Sequence, residues 1–329
     1  MKIVLDAFGG DYSPEETVAG ALLALERSND LSIILTGDKE KLSPLVGSAD
    51  RIEIVHAPDV ITNDDVPTEA IRNKPNSSLV AAIDRLNSDD EAKAFVSTGS
   101  TGAVLTAAVL LTKRIRGINR PALAPVLPTV IGDKKVILID CGANVEPKPL
   151  NLLQFAQMGV AYAKAMGVGN PVVGLLSNGA EDKKGTTLHK ETFALLKESK
   201  MNFVGNIEAR EILLGNVDVV VSDGFSGNIA LKACEGTAVA MFSLIKEGIM
   251  NGGIRAKIGY LLLKPVFKKI KKTMDYNDNG GAILLGLNKI VVKGHGASKR
   301  KAVANTILQA KELAEKQIVE KISGEIENA

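Results

Sequence analysis

The clearest candidate for chemistry is a loop of hydroxyl side chains and glycines between two apolar stretches. It consists of Ser97, Thr98, Gly99, Ser100, Thr101 and Gly102. Glycines let backbone N–H groups approach an anion closely, and the start of a following helix favours negative charge by about 0.3–1 kcal/mol. The loop therefore indicates a site for phosphate or another compact anion. A simple helix N-cap made from the same residue types is the plainer alternative.

Five further loops have a similar composition, and each follows an apolar run. They are DAFGGD (6–11), DCGAN (140–144), SNGAEDKKG (177–185), SDGFSGN (222–228) and KGHG (293–296). Ligands of open α/β sheets bind beyond the carboxyl ends of the strands, where we expect these loops to lie. Their convergence on one edge favours a binding site over a set of unrelated caps.

The sequence lacks the two common nucleotide-binding fingerprints. No G-x-x-x-x-G-K-[ST] motif occurs, and no G-x-G-x-x-G follows a strand and opens a helix. No spacing of His, Asp or Glu suggests a catalytic metal. We therefore expect inorganic phosphate or a phosphate-bearing carrier as the ligand, with no metal and no cofactor.

The elements that must position these loops are short apolar runs separated by helical patterns. Helices are predicted at 17–27, 150–166 and 187–200, and strands at 2–6, 32–37, 52–57, 94–99, 136–144, 171–179, 217–224 and 289–296. Strands that are apolar throughout and alternate with helices predict a mainly parallel sheet covered on both faces. Because no low-complexity linker divides the chain, we expect a single doubly wound α/β domain over residues 1–329, with room for two lobes.

Composition narrows the function further. The 329 residues are 45% hydrophobic and 24% charged, with a net charge of +2, as is usual for a folded soluble protein. Aromatic residues make up 4% and Trp is absent, which disfavours binding of nucleic acid by base stacking. Cys141 and Cys234 form no disulfide framework, which favours a reducing, cytoplasmic location. Asp6 interrupts any N-terminal signal peptide, and without a run of about 18 apolar residues we expect no membrane span.

Eight segments together resemble one family, the phosphate acyltransferases of bacterial phospholipid synthesis. In chain order they are DAFGGD, STGSTGA, IDCGANVEPKP, LQFAQMG, EDKKG, SDGFSGN, MDYNDNGGAILLG and KGHGAS. The resemblance spans nearly the whole chain and implies a Rossmann-like fold related to phosphotransacetylases and to isocitrate- and isopropylmalate-type dehydrogenases. It implies transfer of a fatty acyl group from acyl carrier protein to inorganic phosphate by a cytoplasmic homodimer at the inner face of the membrane. The acyl phosphate would then pass to a membrane glycerol-3-phosphate acyltransferase.

Two segments depart from the family pattern. The family usually has Met-Gly-Gly-Asp-His-Ala-Pro near its start, where this chain has Phe-Gly-Gly-Asp-Tyr-Ser-Pro over 8–14. Tyr12 cannot act as a base at neutral pH, so we expect no mechanism that depends on this histidine. The usual Ala-Gly-Asn-Thr-Gly loop is Thr-Gly-Ser-Thr-Gly over 98–102 in this chain, which keeps both glycines of the anion site.

The resemblance assigns substrate-binding residues to the matching loops. For phosphate and the acyl carrier they are Gly9, Gly10, Asp11, Asn144 and Gly227, together with the loop 97–102. Phosphate is already a nucleophile and a thiolate leaves readily, so positioning and electrostatics are expected to carry most of the catalysis. We therefore predict direct attack by phosphate on the thioester.

Four residues are candidates for catalysis. Lys184 matches the family's EDxKG pattern and is preferred to Lys183 as the cation beside phosphate or the oxyanion, the alternative being a surface lysine. Asn228 either donates its amide to the oxyanion or caps a helix. Asp223 either orients Lys184 or Asn228 or only closes a turn. His295, flanked by glycines after a strand, is the best acid–base candidate.

The remaining cysteines and histidines have plainer explanations. Cys141 follows a strand and precedes a glycine, so an acyl-enzyme is conceivable, but a buried cysteine that packs as a small hydrophobe is commoner. Cys234 is a weaker candidate for a nucleophile. His56 and His189 are predicted to be structural.

Residues 248–274 carry seven basic residues and no acidic ones. One helical face of this segment holds Ile254, Ile258 and Leu262, and Lys268 and Lys269 follow. We predict a helical protrusion at about 240–275 that docks the enzyme on an anionic membrane surface. A docking site for the acidic acyl carrier protein and an apolar dimer face are the alternatives.

Two other functions fit parts of the sequence. A metal- and NAD-dependent dehydrogenase of the isocitrate or isopropylmalate type has a similar sheet, but it needs a carboxylate cluster and an adenosine-binding loop that we do not find. A non-catalytic scaffold on the membrane surface would use the basic segment but has no need for six glycine-rich loops. The acyltransferase is therefore the favoured function.

Overall fold

A computed structural model of the chain, which describes residues 1–274 and 280–327, contains two β-sheets with helices on their faces. The described strands are β1 (Lys2–Asp6), β2 (Ser32–Gly37), β3 (Ile52–His56), β4 (Ala92–Ser97), β5 (Ala122–Ala124), β6 (Val126–Pro128), β7 (Lys135–Ile139), β8 (Val172–Ser177), β9 (Asn202–Glu208), β10 (Val219–Val221), β11 (Ala282–Leu285) and β12 (Ile290–Lys293). The described helices are α1 (Glu15–Arg27), α2 (Lys39–Val46), α3 (Pro67–Asn73), α4 (Ser78–Ser88), α5 (Thr101–Ala107), α6 (Pro149–Ala165), α7 (Thr187–Glu198), α8 (Gly224–Asn251), α9 (Gly253–Met274), α10 (Arg300–Glu315) and α11 (Ile318–Glu327). A π-helical turn, Ala108–Thr112, continues α5. Residues 275–279 of the family-like segment MDYNDNGGAILLG lie outside the described residues.

The first sheet has the strand order β3-β2-β1-β4-β12-β11-β5. Strands β3, β2, β1, β4 and β12 are parallel, and β11 pairs antiparallel with both β12 and β5. On β1, Ile3 and Leu5 belong to the apolar cluster that includes α1 and α10, while Val4 belongs to the cluster that includes α4. Both faces are therefore covered, which explains why these strands are apolar throughout. The carboxyl ends of β1, β4 and β12 lie side by side.

The second sheet has the strand order β6-β7-β10-β8-β9. Strands β7, β10, β8 and β9 are parallel, and β6 pairs antiparallel with β7. One apolar cluster contains Leu285 of the first sheet, Ile139 of the second sheet and Phe155 of α6, so the two sheets share a core. This shared core brings the strand-end loops of both sheets towards a common region.

Helices α8 and α9 form a hairpin that carries residues 240–274 of the predicted segment, and residue 275 lies outside the described residues. Of α8, the buried residues are Gly224, Gly227 and Ala230 in its first two turns. On α9, Ile254, Ile258 and Leu262 are exposed, as are Lys268 and Lys269. The hairpin therefore presents an apolar face with lysines beside it, and its docking on a membrane stays a prediction.

Helix α8 is long and apolar enough to cross a membrane by length and composition, although polar residues interrupt its apolar sequence. Its first turns nevertheless carry Asn228, Lys232 and Glu235, and these three side chains line a cleft of the fold. In this structure α8 is therefore part of the candidate site described below.

The predicted Rossmann-like α/β class with mainly parallel strands is confirmed. All eight predicted strands and all three predicted helices are present, with ends that differ by a few residues. The strands are divided between two sheets, whereas the sequence suggested one sheet with two lobes. The unpredicted strands among the described residues are β5, β6, β9 and β11.

Candidate active site

Two clefts open at the carboxyl ends of the strands. Cleft A has a volume of about 380 Å³ and is lined mainly by the loops after β1, β3 and β4. Cleft B has a volume of about 430 Å³ and lies between the loops after β4, β7 and β12 and the start of α8. Thr101, Lys293 and Gly296 line both clefts. Loops from both sheets therefore meet in one place, as their composition predicted.

The loops after β1 and β4 fit against each other without room for further side-chain atoms. A Cβ added to Gly9 would lie 2.7 Å from both the Gly99 nitrogen and an Asp6 carboxylate oxygen. The Thr98 hydroxyl donates a hydrogen bond of 2.6 Å to the Gly9 carbonyl oxygen. Gly10, which lines cleft A, has a φ of +100°, a conformation that favours glycine. Gly9 is therefore required by the close approach of two loops, and Gly10 by its backbone conformation.

The hydroxyls of the predicted anion loop divide into two groups. Ser97 and Thr98 are buried and form hydrogen bonds within the loop region. Ser100 and Thr101 are less buried and line cleft A, which Thr98 also lines. Among the described residues, Ser100 provides no side-chain cap for the helix that begins at Thr101. Because the first N–H groups of a helix have no acceptor within it, this geometry agrees with an anion site better than with a capped turn.

Lys293 is a functional candidate that the sequence analysis missed. It ends β12, is 9% exposed and lines both clefts. Its ammonium group donates to the carbonyl oxygen of Thr98 at 3.4 Å and to that of Gly294. Burial lowers the pKa of Lys293 to about 8, and the Lys232 cation acts in the same direction. The sequence does carry a signal, because a single charged residue ends the apolar run IVVK beside the glycines of KGHG.

Cleft B combines two predicted catalytic residues with an apolar wall. The wall consists of Leu105, Leu123, Pro125, Val126, Leu127 and Leu231. Asn228 and His295 line the same cleft. Within the described part of the chain, the Asn228 amide has no hydrogen-bond partner and is available to a ligand. Burial lowers the pKa of His295, with Lys232 contributing, so its imidazole is mainly neutral at pH 7.

Lys232 and Glu235 are further cleft B residues that the sequence analysis did not single out. They form an ion pair of 2.8 Å on α8. Lys232 is four residues from Asn228 and Glu235 is seven, and these spacings place all three side chains on one face of the helix. Helical periodicity from Asn228 is therefore the signal that would have found them.

Asp223 closes the turn that begins α8. Its carboxylate accepts hydrogen bonds from the amides of Phe225 and Ser226 at 3.0 and 2.8 Å. This is a helix N-cap, so Asn228 is not the cap. Among the described residues, Asp223 makes no orienting contact with Lys184 or Asn228. Of the two predicted roles for Asp223, the structure therefore provides the one that closes the turn.

Asn144 and Gly227 hold the loop after β7 against α8. The Asn144 side-chain nitrogen donates to the Asp140 carboxylate at 2.9 Å and to the Pro121 carbonyl oxygen at 2.8 Å. A Cβ on Gly227 would lie 2.0 Å from the Asp140 carbonyl oxygen, so this contact requires glycine. Neither residue lines cleft A or cleft B in the described structure, and their contact with substrate stays a prediction.

Lys184 lies outside both clefts among the described residues. It is on the exposed loop between β8 and α7, next to the equally exposed Lys183. In the described part of the chain its ammonium group makes no hydrogen bond or ion pair. Asp182, two residues before Lys184, pairs with Lys197 at 3.4 Å. The family pattern remains the basis for Lys184, and its catalytic role stays a prediction.

Cys141, His56 and His189 have the structural roles that the sequence analysis favoured. Cys141 lines cleft B but is 2% exposed, and burial raises its thiol pKa well above the usual value. The nucleophilic thiolate is therefore disfavoured. His56 accepts a hydrogen bond from the Lys39 amide at 3.2 Å, and His189 lies 2.9 Å from the Thr186 hydroxyl. Both histidines make local contacts away from the two clefts.

Comparisons with known proteins connect this chain to acyl transfer. A family model described as "Fatty acid synthesis protein" matches residues 1–321. The chain is similar to a protein of Geobacillus thermodenitrificans named "Phosphate acyltransferase", with 46% identity over 328 residues and 99% of each chain covered. It is also similar to a protein of Leuconostoc mesenteroides with the same name, with 48% identity over 322 residues that cover 97% of this chain and 94% of that one.

The fold has a related counterpart among solved structures. A phosphotransacetylase from Streptococcus pyogenes superposes with a TM-score of 0.62 and covers 97% of this chain and 94% of that one. At 19% sequence identity, this likeness concerns the fold alone. It agrees with the Rossmann-like class and with the expected relation to phosphotransacetylases.

Proposed function

We propose, because the chain belongs to the phosphate acyltransferase family, that it transfers a long-chain fatty acyl group from acyl carrier protein to inorganic phosphate. The product is an acyl phosphate for phospholipid synthesis. One observation carries the proposal: a polar, glycine-rich cleft and a cleft with an apolar wall share a border at Thr101. The reaction has the same two requirements, since it joins a small anion to the end of an apolar acyl chain.

The proposed reaction is a direct displacement on the thioester. An oxygen of hydrogen phosphate attacks the carbonyl carbon, and the new C–O bond gives a tetrahedral oxyanion. The C–S bond then breaks as the carbonyl reforms. The proton of the phosphate hydroxyl ends on the sulfur of the carrier, so hydrogen phosphate and thioester give acyl phosphate and thiol without any other reactant.

Two residues of cleft B have defined roles in this displacement. The unpartnered Asn228 amide donates to the oxyanion, an interaction that typically lowers the barrier by about 3–4 kcal/mol. The neutral His295 imidazole takes the proton of the phosphate hydroxyl and passes it to the departing sulfur. With these two residues and the anion loop, the reaction can proceed without a covalent acyl-enzyme.

The experiment mixes the protein with long-chain acyl carrier protein and phosphate and detects acyl phosphate by mass spectrometry. A parallel reaction with acyl-coenzyme A tests the donor. Acyl phosphate from coenzyme A but not from the carrier protein would refute the proposed donor. If neither thioester gives product, the acyltransferase proposal is wrong, and an absorbance assay with NAD and 2-hydroxy acids tests the dehydrogenase alternative.

We also propose that the α8–α9 hairpin holds a cytoplasmic homodimer at the inner face of the membrane. The exposed apolar residues and lysines of α9 support this proposal. Acyl phosphate has a long apolar tail and a reactive head, so delivery at the membrane surface to a glycerol-3-phosphate acyltransferase avoids passage through water. Vesicle binding and sedimentation of the purified protein test the two parts separately.

A further inference from the structure

We infer that Lys293 is the cation that binds inorganic phosphate, and that it holds the phosphate at the border of clefts A and B, where the thioester carbonyl arrives. This inference rests on the proposed acyl transfer and deepens it. Lys293 is identified by its position in the fold, whereas Lys184 rests on the family pattern alone and stays a separate prediction.

The position of Lys293 matches what a phosphate-binding cation needs. It ends β12 in the middle of the first sheet, where the strand fixes its backbone. A lysine ammonium group has three donors, and the carbonyl oxygens of Thr98 and Gly294 take two of them. The third donor remains for a ligand. Because Lys293 lines both clefts, an anion bound to it in cleft A lies next to a group bound in cleft B.

No other lysine of the described structure combines these properties. Lys232 lines cleft B without reaching cleft A, and its ion pair with Glu235 offsets its charge. Lys184 lies on an exposed loop. Lys293 therefore has the position from which one cation can bind the attacking phosphate beside a group held in cleft B.

The charged groups around Lys293 suit the hydrogen phosphate ion. Asp11 lines cleft A, and its carboxylate can accept a hydrogen bond from the phosphate hydroxyl before His295 takes that proton, while Lys293 binds an ionised oxygen. Asp6 lies buried behind the loop on β1, and Lys232 and His295 approach from cleft B. Burial and Lys232 lower the pKa of Lys293 to about 8, while Asp11 and Asp6 act against this shift. Phosphate binding at Lys293 should therefore weaken as the lysine loses its proton.

The test compares Lys293→Met with Lys289→Met, a lysine just before the other end of the same strand. We expect Lys293→Met to raise the KM for phosphate about tenfold or more, because a hydrogen bond to a charged group is lost. The KM for acyl carrier protein should change far less, and Lys289→Met should keep both constants. Lys293→Arg, which preserves the charge, should recover part of the loss.

A binding measurement separates this inference from the proposed function. Phosphate that binds the native state raises the melting temperature, so the wild type and Lys289→Met should be stabilised by inorganic phosphate without any thioester. Lys293→Met should lose this response. A folded Lys293→Met with the wild-type phosphate KM and melting response would overturn the inference, even if acyl phosphate is formed. The kcat/KM for phosphate should fall above a pH of about 8 in the wild type, and an unchanged value across that range would also count against Lys293.

Discussion

The Ser97 hydroxyl donates a hydrogen bond of 2.8 Å to the buried carboxylate of Asp6. The same hydroxyl oxygen accepts the Gly99 amide at 3.0 Å. These two bonds tie the end of β1 to the loop after β4. Burial raises the pKa of Asp6, and the bond from Ser97 acts against this shift by stabilising the carboxylate. The anion loop is therefore held in place by an acid from the neighbouring strand.

Ser97→Ala tests this connection. The variant removes a donor from a buried carboxylate, so we expect the free energy of unfolding to fall by about 1–3 kcal/mol. The KM for phosphate should rise, because the Gly99 backbone is less restrained. Denaturant unfolding and phosphate titration measure the two effects. Ser88→Ala, which removes an exposed hydroxyl at the end of α4, is the matched control. If both properties of Ser97→Ala equal those of the control, other contacts hold the loop.

Asn228→Ala tests the oxyanion donor of cleft B. We expect kcat to fall about 100- to 1,000-fold, as for the loss of one oxyanion donor, with little effect on stability because Asp223 caps the helix. Steady-state rates of acyl phosphate formation measure this effect. Asn251→Ala, at the far end of the same helix, should keep the wild-type kcat. A loss of kcat below tenfold would remove Asn228 from the mechanism.

Lys184→Ala tests whether Lys184, which matches the family pattern but lies outside both clefts, takes part in catalysis. Lys184 and Lys183 are adjacent and equally exposed, so only the EDxKG pattern distinguishes them. If Lys184 acts on the oxyanion or phosphate, Lys184→Ala should lower kcat about a hundredfold while Lys183→Ala stays near the wild type. Equal, near-normal rates for both variants would show that the pattern marks a surface loop.

The strands that the sequence predicted share a physical cause. Residues such as Ile3, Val4 and Leu5 are buried on both faces of a parallel sheet, so each strand is a continuous apolar run. Strands β5 and β6 have three residues each and belong to antiparallel pairs, which is too little periodicity to recognise. The division into two sheets depends on which strands pair, and that information lies in contacts distant in sequence.

The glycine-rich loops of the candidate site were predictable, because residue type alone marks them. Gly9 is required by backbone contact and Gly10 by its positive φ, and their loop was found from composition. Lys293 was not found, because a lysine is normally exposed and only the packing of three loops buries this one. Asn144 and Asp223 have side chains suited to ligands, but the same hydrogen-bonding groups close turns in this fold. Local sequence does not distinguish these two uses.

Cys141→Ala tests direct attack against an acyl-enzyme. The buried thiol with a raised pKa is a poor nucleophile, so we expect the variant to keep kcat within a few-fold. Incubation of the wild type with acyl carrier protein but without phosphate, followed by intact-protein mass spectrometry, should show no added acyl group. An acyl adduct on Cys141 would contradict the direct displacement.

The α8–α9 hairpin supplies the last prediction, which concerns membrane binding. On α9, Ile258 is 55% exposed and Leu262 is 76% exposed. Exposed apolar patches of this kind mark sites of interaction with a membrane or another protein. Burial of each side chain in lipid contributes about 1.5–3 kcal/mol if complete. Each lysine near an anionic surface adds about 1 kcal/mol, which salt screens. Binding to anionic vesicles should therefore weaken with salt without being abolished.

Replacing both Ile258 and Leu262 with Glu should release the protein from anionic vesicles while the activity in solution stays largely intact, because these side chains lie outside clefts A and B. The matched control replaces Val130 and Val204 with Glu, since these valines are 70% and 55% exposed but lie on other parts of the surface. Vesicle sedimentation measures binding, and analytical ultracentrifugation measures the oligomeric state. Continued sedimentation of the hairpin variant with vesicles would show that this face is not the anchor. If the variant instead becomes monomeric, the exposed apolar face is a contact between two copies of the chain. Loss of a membrane anchor alone would leave the oligomeric state in solution unchanged.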